Sequence, residues 1–376
     1  MVNKDRLVQL FLEFLNTNSP SRSERAMADL VTPILRDLGF DVREDGAAAE
    51  IGGDTGNIIA RKQGCASDGL RILLSSHLDT VETTRGLVPI FTDDGSIVTS
   101  GETILGADDK AGVAAILEAL RVVQEESISF RGIQVVFDVA EEVGLLGAKQ
   151  LNRDELQADL AYIFDTEQPV ASIVTSAPSY NNIKFTITGK AAHAGISPEN
   201  GVNAIRAASE GIARMRLSRI DEETTANVGV IHGGKARNIV PDRVEVLAEA
   251  RSRDEKKLQA QTEHMTQAMR EAASEMGASV DVEVRREYNS FRWTAEDPVV
   301  KLAVRAARAV GEEPRLVAAG GGSDANIFNA CGLPAVLIGV GFERCHSPDE
   351  RIAIDDLVKC AEFIVELIRG SVEGHC

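Results

Sequence analysis

The sequence predicts an α/β fold with a mixed, largely parallel sheet flanked by helices, together with an inserted α+β domain. In residues 1–178, and again from residue 293 onward, short apolar runs alternate with stretches of helical spacing. That alternation is typical of βαβ units and parallel sheets. Residues 179–292 instead follow the order β-α-β-β-α-β, which is the ferredoxin-like pattern. We therefore predict one domain from residues 1–178 and 293–376, interrupted by a second domain at 179–292.

The elements of the first part follow from their spacing. Apolar residues at helical intervals predict helices within residues 6–38, closed by Gly39 as a C-terminal cap. Short apolar runs then predict strands, and a long apolar stretch predicts a helix between them. The expected strands are residues 57–61, 70–75, 132–139 and 160–164; the expected helices are residues 111–123 and the start of one at 145–152.

The inserted segment shows strand and helix periods in turn. Ile183, Phe185 and Ile187 alternate with polar residues, which predicts a strand with one buried face. The remaining predicted elements are a helix at 202–216, strands at 226–231 and 244–250, a long helix at 255–276 and a strand at 280–288. Together they complete the ferredoxin-like order.

The composition excludes some partners. Hydrophobic residues make up 44% of the chain, and 40 basic against 58 acidic residues give a net charge of −18. Nucleic acid and anionic membranes require a basic surface, so neither is an expected partner. Apolar runs are shorter than the about 20 residues of a membrane helix, and no signal core is evident. Five cysteines without close pairing indicate reduced thiols, and we expect a cytoplasmic protein.

Pairs of polar residues follow two of the predicted strands. His77 and Asp79 leave one strand on the same side, because residues i and i+2 of an extended chain point the same way. Glu141 and Glu142 follow another strand, just before Gly144. At a strand end, such a glutamate pair can divide into one metal ligand and one general base. The alternative for each pair is a solvated polar end.

Three further residues fit the same pattern. Asp165 and His346 follow apolar strands, and Asp108 lies in a small-residue loop before a helix, where helix capping is the alternative. Sites in parallel sheets form at the carboxyl ends of strands. Two histidines with carboxylates favour zinc or cobalt over magnesium or calcium. The predicted ligands are His77, Asp108, Glu142, Asp165 and His346, whose three carboxylates would offset all but one charge of two divalent ions.

Other polar positions are more isolated. His193 lies on a loop of small residues that leaves its imidazole exposed. The glycine loop at 320–322 precedes a helix and could hold an anion on its N–H groups. Weaker candidates are His232, His264 and His375.

Together these motifs resemble the dinuclear-zinc metallopeptidase family that includes peptidase T, glutamate carboxypeptidases, desuccinylases and aminoacylases. The matching segments occur in the family's order over nearly the whole chain. They are residues 76–79, 106–110, 140–144, 165, the loop around 193, and 346–350. Within the family, residues 106–112 and the glycine loop before Ser323 are most similar to peptidase T.

The resemblance implies a partition of the metal ligands. Asp108 would bridge two zinc ions, and cobalt or manganese could substitute for zinc. His77 and Asp165 would complete one metal site. Glu142 and His346 would complete the other. We expect Cys345, which precedes His346, not to be a ligand, because five ligands and a water fill both sites.

The resemblance also implies roles around the metals. Glu141 would be the general base, Asp79 would orient His77, and the peptide bond between Asp108 and Asp109 would be cis. Residues 179–292 would be a lid that also forms a homodimer.

Three residues of this lid would serve the substrate, as the resemblance implies. Asn238 and Arg251 would hold it. His193 would reach the partner subunit's active site and donate to the oxyanion.

We predict a zinc-dependent exopeptidase that removes the N-terminal residue of short peptides, with tripeptides favoured. In the family, an Asp at the position of Asp165 accompanies aminopeptidases, whereas Glu accompanies carboxypeptidases and deacylases. The first alternative is an amidohydrolase, deacylase or carboxypeptidase acting on N-acyl amino acids or dipeptides. The second is a non-catalytic binding protein on the same scaffold, which the presence of Glu141 disfavours.

Overall fold

The computed structural model describes residues 1–372 and divides the chain into two compact units. The first unit comprises Met1–Thr175, Trp293–Ala318 and the described chain from Ser323 onward. The second comprises Ser176–Arg292 and Ala319–Gly322. The glycine loop therefore belongs to the second unit, although it is distant from the rest of that unit in sequence.

The α-helices occur in both units. In chain order they are α1 (Lys4–Leu15), α2 (Arg25–Asp37), α3 (Ala47–Ile51), α4 (Ala107–Glu125), α5 (Ala204–Arg214), α6 (Glu255–Glu275), α7 (Pro298–Ala309), α8 (Asp324–Ala330) and α9 (Ile354–Gly370). Single 3₁₀ turns occur at Ala148–Gln150, Arg153–Glu155 and Pro198–Asn200. In the part of the chain described, no helix is both long enough and apolar enough to span a bilayer.

The strands are also distributed over both units. Those up to the inserted segment are β1 (Asp41–Glu44), β2 (Ile58–Gln63), β3 (Arg71–His77), β4 (Ile90–Phe91), β5 (Ser96–Val98), β6 (Gly132–Asp138), β7 (Leu160–Ile163) and β8 (Ser172–Ala177). The rest are β9 (Ser179–Thr188), β10 (Ser218–Arg219), β11 (Thr224–Gly233), β12 (Arg243–Ser252), β13 (Ser279–Tyr288), β14 (Phe291–Arg292), β15 (Arg315–Ala318), β16 (Ala335–Ile338), β17 (Phe342–Glu343) and β18 (Arg351–Ala353).

The first unit is built on a mixed sheet whose centre is parallel, which confirms the predicted class. Its order is β1-β2-β6-β3-β7-β16-β8. The four strands β6, β3, β7 and β16 pair in parallel, and the flanking strands pair antiparallel. Every residue of β6 is buried, as expected for a strand covered on both faces.

Helices cover this sheet as the alternating pattern predicts. Helix α4 packs on β3, α1 and α9 pack on α4, and α7 packs on α9. The apolar residues Val113, Ile116 and Leu117 of α4 are fully buried in the core. The helix expected at 145–152 is only the 3₁₀ turn Ala148–Gln150, because Leu145 has a positive φ and Leu151 is extended.

A small four-stranded sheet of order β17-β18-β5-β4 was not predicted. Its strands are two or three residues long, so they show no periodicity in the sequence. Strands β17 and β18 pair antiparallel through Phe342–Ile352 and Glu343–Arg351. The segment between them carries His346.

The second unit contains the predicted β-α-β-β-α-β order. Its four long strands form an antiparallel sheet of order β11-β12-β9-β13. Ile183, Phe185 and Ile187 of β9 are buried, as their alternation predicts. Helices α5 and α6 pack on each other and on this sheet. Leu258 and Met265 of α6 close a hydrophobic core separate from that of the first unit.

A buried carboxylate joins α1 to α4 in the first unit. Glu118 is inaccessible to solvent. Its two oxygens accept from Arg6 Nε at 2.7 Å and Nη2 at 2.8 Å, and Oε1 also accepts from the backbone N–H of Asn3 at 2.9 Å. Arg6 pairs as well with the more exposed Glu125 at 2.5 Å. The Arg6 guanidinium thus pairs with one buried and one exposed carboxylate.

We predict that Glu118→Gln lowers the free energy of unfolding by about 2–3 kcal/mol, because it weakens a buried, charge-assisted contact. Glu125→Gln is the matched control, and should cost less than about 1 kcal/mol because its carboxylate is exposed. Urea unfolding followed by the fluorescence of Trp293, the chain's single tryptophan and part of the first unit, measures both variants. Equal losses would contradict the prediction.

Candidate active site

The parallel strands end at one edge of the central sheet, and the predicted site residues lie at or beyond these ends. His77 is the last residue of β3. The others lie in the segments that follow β6 and β7, between β17 and β18 beyond the end of β16, or at the start of α4; they are Glu141 and Glu142, Asp165, His346 and Asp108. This edge is where a parallel sheet forms its binding sites.

Asp108 lies between the two histidines. Its Oδ1 is 3.2 Å from Nε2 of His77, and its Oδ2 is 3.2 Å from Nε2 of His346. The opposite ring nitrogen of His77, Nδ1, is 2.9 Å from the backbone carbonyl of Asp79. A carbonyl only accepts, so Nδ1 carries a proton, and Nε2 is the ring nitrogen that faces Asp108. A metal-binding histidine is typically held in this way by its other ring nitrogen, which leaves Nε2 of His77 as the atom that would bind a metal.

Each histidine has a second carboxylate nearby. Asp165 Oδ1 lies 3.7 Å from Nε2 of His77, and Glu142 Oε1 lies 3.0 Å from Nε2 of His346. Although Glu142 Oε1 is buried, no group within residues 1–372 donates a well-aligned hydrogen bond to it. The five predicted ligands are thus brought together in two groups that share Asp108.

This donor set fits divalent metal ions. Imidazole nitrogens and carboxylate oxygens converge within 4.8 Å in the group His77, Asp108 and Glu142. A second such group joins Asp108 and His346 with Cys345. The Cys345 thiol also contacts Glu167 Oε2 at 3.6 Å. Our expectation that Cys345 is not a metal ligand stays a prediction. A buried oxygen with no hydrogen-bond donor is a further sign of a cation site.

The side chain of Asp79 fixes the turn that carries the two glutamates. Its Oδ1 accepts from the backbone N–H of Glu141 at 3.0 Å, and its Oδ2 accepts from that of Glu142 at 3.2 Å and from the Ser21 hydroxyl at 2.6 Å. Burial opposes ionisation, but the hydrogen bond and charge of His77 outweigh it, and the pKa of Asp79 is lowered. Besides facing His77, this carboxylate therefore positions Glu141.

Glu24 is a buried residue that the sequence did not single out. Its Oε1 accepts from the backbone N–H of Ala140 at 3.0 Å. Ala140 adopts a positive φ of 55°, which few residues other than glycine favour. Three consecutive N–H groups, at residues 140–142, are thus held by two buried carboxylates.

Glu350 holds the segment that carries Asp108. It is buried, and its carboxylate accepts from the backbone N–H of Gly106 at 2.7 Å and of Asp108 at 2.9 Å. The Asp109 carboxylate accepts from the Ser76 hydroxyl and from the backbone N–H of His77 at 3.2 Å. The peptide bond between Asp108 and Asp109 is cis, as the resemblance implied. Glu350 lay within a matching motif, but the sequence assigned it no role.

Crowded carboxylates dominate the electrostatics of the site. Burial raises the pKa of Asp165 to about 7. Burial also raises the pKa of Glu141 well above its usual range, with the charge of Asp165 adding to the effect. The carboxylates of Asp108 and Glu142, which lie 3.2 and 3.0 Å from Nε2 of the His346 ring, raise the pKa of that imidazole to about 10. These shifts indicate excess negative charge, which a bound cation would offset.

The remaining predicted residues belong to the second unit. His193 and Asn238 are exposed on adjacent loops, where the backbone N–H of Ala194 donates to the carbonyl of Asn238 at 2.9 Å. Arg251 lies on β12 and pairs with Glu249. His232 and His264 also lie in this unit, whereas His375 lies outside the described residues.

Comparisons with known proteins agree with this geometry. Residues 73–370 match the family described as Peptidase family M20/M25/M40. The structure is similar to that of aminopeptidase PepT from Bacillus cereus, with a TM-score of 0.93 and 42% identity over 99% of this chain and 100% of that one. It is also similar to a tripeptidase from Staphylococcus aureus, with a TM-score of 0.96 and 40% identity over the full length of both chains.

A sequence relative extends the agreement. Peptidase T from Fusobacterium nucleatum is 27% identical over 96% of this chain and 85% of its own length. The family match covers most of the chain, including the segments that carry all five predicted ligands. The resemblance predicted from the motifs is confirmed: the protein belongs to peptidase family M20/M25/M40 and is a hydrolytic exopeptidase.

Proposed function

We propose that this protein is a zinc-dependent aminopeptidase that removes the N-terminal residue of short peptides, with tripeptides favoured. The observation that carries the proposal is the position of Asp108 between two histidines, each with a further carboxylate beside it. Such an arrangement suits two metal ions that share one bridging carboxylate. The B. cereus aminopeptidase and the S. aureus tripeptidase, which are 42% and 40% identical to this chain, support the choice of substrate class.

The five ligands would be divided as the family resemblance implies. His77 and Asp165 would hold one zinc ion, Glu142 and His346 the other, and Asp108 both. Cobalt or manganese could replace zinc at sites of mixed nitrogen and oxygen ligands. When bound, such ions lower the pKa of water and polarise the scissile carbonyl.

Glu141 is the proposed general base. It takes a proton from the attacking water and later gives it to the amine of the leaving peptide. Its backbone is fixed by Asp79 and its neighbour Ala140 by Glu24, so the turn holds the carboxylate in place. Preorganisation of this kind aligns the base before substrate binds.

The second unit would supply the groups that bind the peptide. Arg251 would pair with the substrate's terminal carboxylate, because a guanidinium presents a planar pair of donors to a planar pair of acceptors. Asn238 would assist in holding the substrate. A fixed carboxylate anchor limits the number of residues that can precede it, and favours one peptide length.

We further propose a homodimer formed through residues 179–292. Beyond residues 225–226, strand β11 has a paired neighbour on one side only in the described structure. Its Val230 and Ile231 are about half exposed, at 50% and 49%. An apolar edge strand of this length is a site where a second copy can add its own strand.

The proposed location is the cytoplasm. The cysteines of the described chain are free thiols; they are Cys65, Cys331, Cys345 and Cys360. Reduced thiols are typical of a reducing compartment.

We predict that the zinc- or cobalt-loaded enzyme shows a sharp preference for tripeptides when it is incubated with a panel of di-, tri- and tetrapeptides and N-acyl amino acids. Dipeptides should react more slowly and peptides beyond four residues hardly at all, because the anchored carboxylate fixes the scissile bond. Mass spectrometry identifies the products. Release of the C-terminal residue, or cleavage of N-acyl amino acids alone, would favour a carboxypeptidase or deacylase instead.

We predict that Glu141→Gln retains both metals but loses about 10²–10⁴-fold in turnover, because it removes the proton acceptor. Glu142→Gln, the adjacent control, should instead bind less metal, because the amide is a poorer ligand than the carboxylate. Metal content and turnover of the two variants are measured together. Loss of metal in Glu141→Gln, with retention in Glu142→Gln, would reverse the assignment.

We predict that His193 acts on the partner subunit. Homodimers of His193→Ala should lose about 10²–10³-fold in turnover, as expected for an oxyanion donor. A mixed dimer of His193→Ala with Glu141→Gln subunits then has one site with both defects and one with neither. About half of the wild-type activity per dimer should return. A purified mixed dimer that stays inactive would show that His193 acts within its own subunit or not at all.

A further inference from the structure

Arg251 is held on two sides by residues of the second unit. Its Nε and Nη2 donate to the two oxygens of Glu249 at 3.1 and 2.9 Å. Its guanidinium carbon lies 4.5 Å from the centre of the Tyr180 ring, a cation–π contact. Both side chains of the ion pair are 28% exposed, so the pair is only partly screened by solvent. Arg251 therefore has one well-defined orientation.

This orientation leaves one edge of the guanidinium available. Glu249 occupies the side formed by Nε–H and one N–H of Nη2. The second N–H of Nη2 and both of Nη1 form the end of the fork, and within residues 1–372 no protein group accepts from Nη1. Because the end of the fork is also a bidentate donor pair, it can still bind a second carboxylate.

The glycine loop lies beside this edge. A Cβ atom at Gly321 would lie 4.0 Å from Nη1 of Arg251, an ordinary van der Waals distance. A Cβ atom at Gly322 would lie 2.2 Å from Tyr288, so only glycine fits. The Tyr180 and Tyr288 rings are in turn 5.5 Å apart, which places the loop, both rings and Arg251 in one cluster.

We propose that Glu249 is a positioning residue that determines specificity for peptides with a free terminal carboxylate. By occupying the Nε side of Arg251, it forces the arginine to present the end of its fork, and a planar carboxylate is the group that matches this edge. This inference rests on the proposed function, in which Arg251 anchors the substrate. A terminal carboxamide offers Arg251 one acceptor oxygen instead of two, so the amidated peptide binds more weakly than the free acid.

The test compares tri-alanine with its C-terminal amide. Glu249→Ala should raise KM for tri-alanine about 10-fold and leave kcat within two-fold, since the anchoring that is lost acts equally in the ground state and the transition state. Its kcat/KM on the amide should be unchanged. Glu249→Gln keeps one acceptor for Arg251 and should lie between Glu249→Ala and the wild type. Glu249→Gln is also the variant that tests the proposal if Glu249→Ala does not fold.

Glu245→Ala is the matched control, because Glu245 pairs with Arg243 two residues away on the same strand, at 2.8 Å and at an exposed position. It should leave both substrates unaffected. The proposal is overturned if Glu249→Ala impairs both substrates equally, affects neither, or lowers KM for tri-alanine. Arg251→Ala distinguishes a failure of the anchor from a failure of its positioning. If Arg251→Ala keeps the preference for the free carboxylate, Arg251 is not the substrate anchor. If Arg251→Ala removes the preference while Glu249→Ala does not, Arg251 is the anchor and only the role of Glu249 is wrong.

Discussion

Backbone N–H groups hold the buried carboxylates around the site, and the arrangement of the ligands depends on these contacts. Glu350 accepts from Gly106 and Asp108, and Asp79 accepts from Glu141 and Glu142. Buried carboxylates are costly unless hydrogen bonds satisfy them, and each bond also fixes a main-chain position. The carboxylates that fix the geometry of the site thus also contribute to its negative charge.

The fold and the convergence of the five candidate ligands could be predicted because both depend on local periodicity. Residues that follow an apolar strand in a parallel sheet must meet at one edge, so His77 and Asp165 were found from strand ends alone. Glu24 and Glu350 were not, because a carboxylate that accepts from a distant backbone N–H leaves no spacing in the sequence. The sheet formed by β17 and β18 escaped prediction for a similar reason: strands of two or three residues carry no period.

In the second unit, too, contacts between residues distant in sequence could not be predicted. The alternation of β9 predicted its buried face, and the order of elements predicted the ferredoxin-like pattern. The cluster around Arg251 depends on residues 180, 288 and 320–322, which are far apart in sequence. Only the pairing of strands β9, β12 and β13 and the path of the glycine loop bring them together. The sequence pointed to Arg251 and to the loop separately, but not to their proximity.

The segment between β17 and β18 supplies both His346 and Glu350, one facing the Asp108 carboxylate and the other holding its backbone. The two residues are four positions apart, and adding one residue would shift one relative to the other by about 3.5 Å. Such a shift exceeds the tolerance of a hydrogen bond. Over evolution, this stretch should therefore accept changes of residue type but not of length. Related proteins that keep both contacts should place insertions and deletions in other loops.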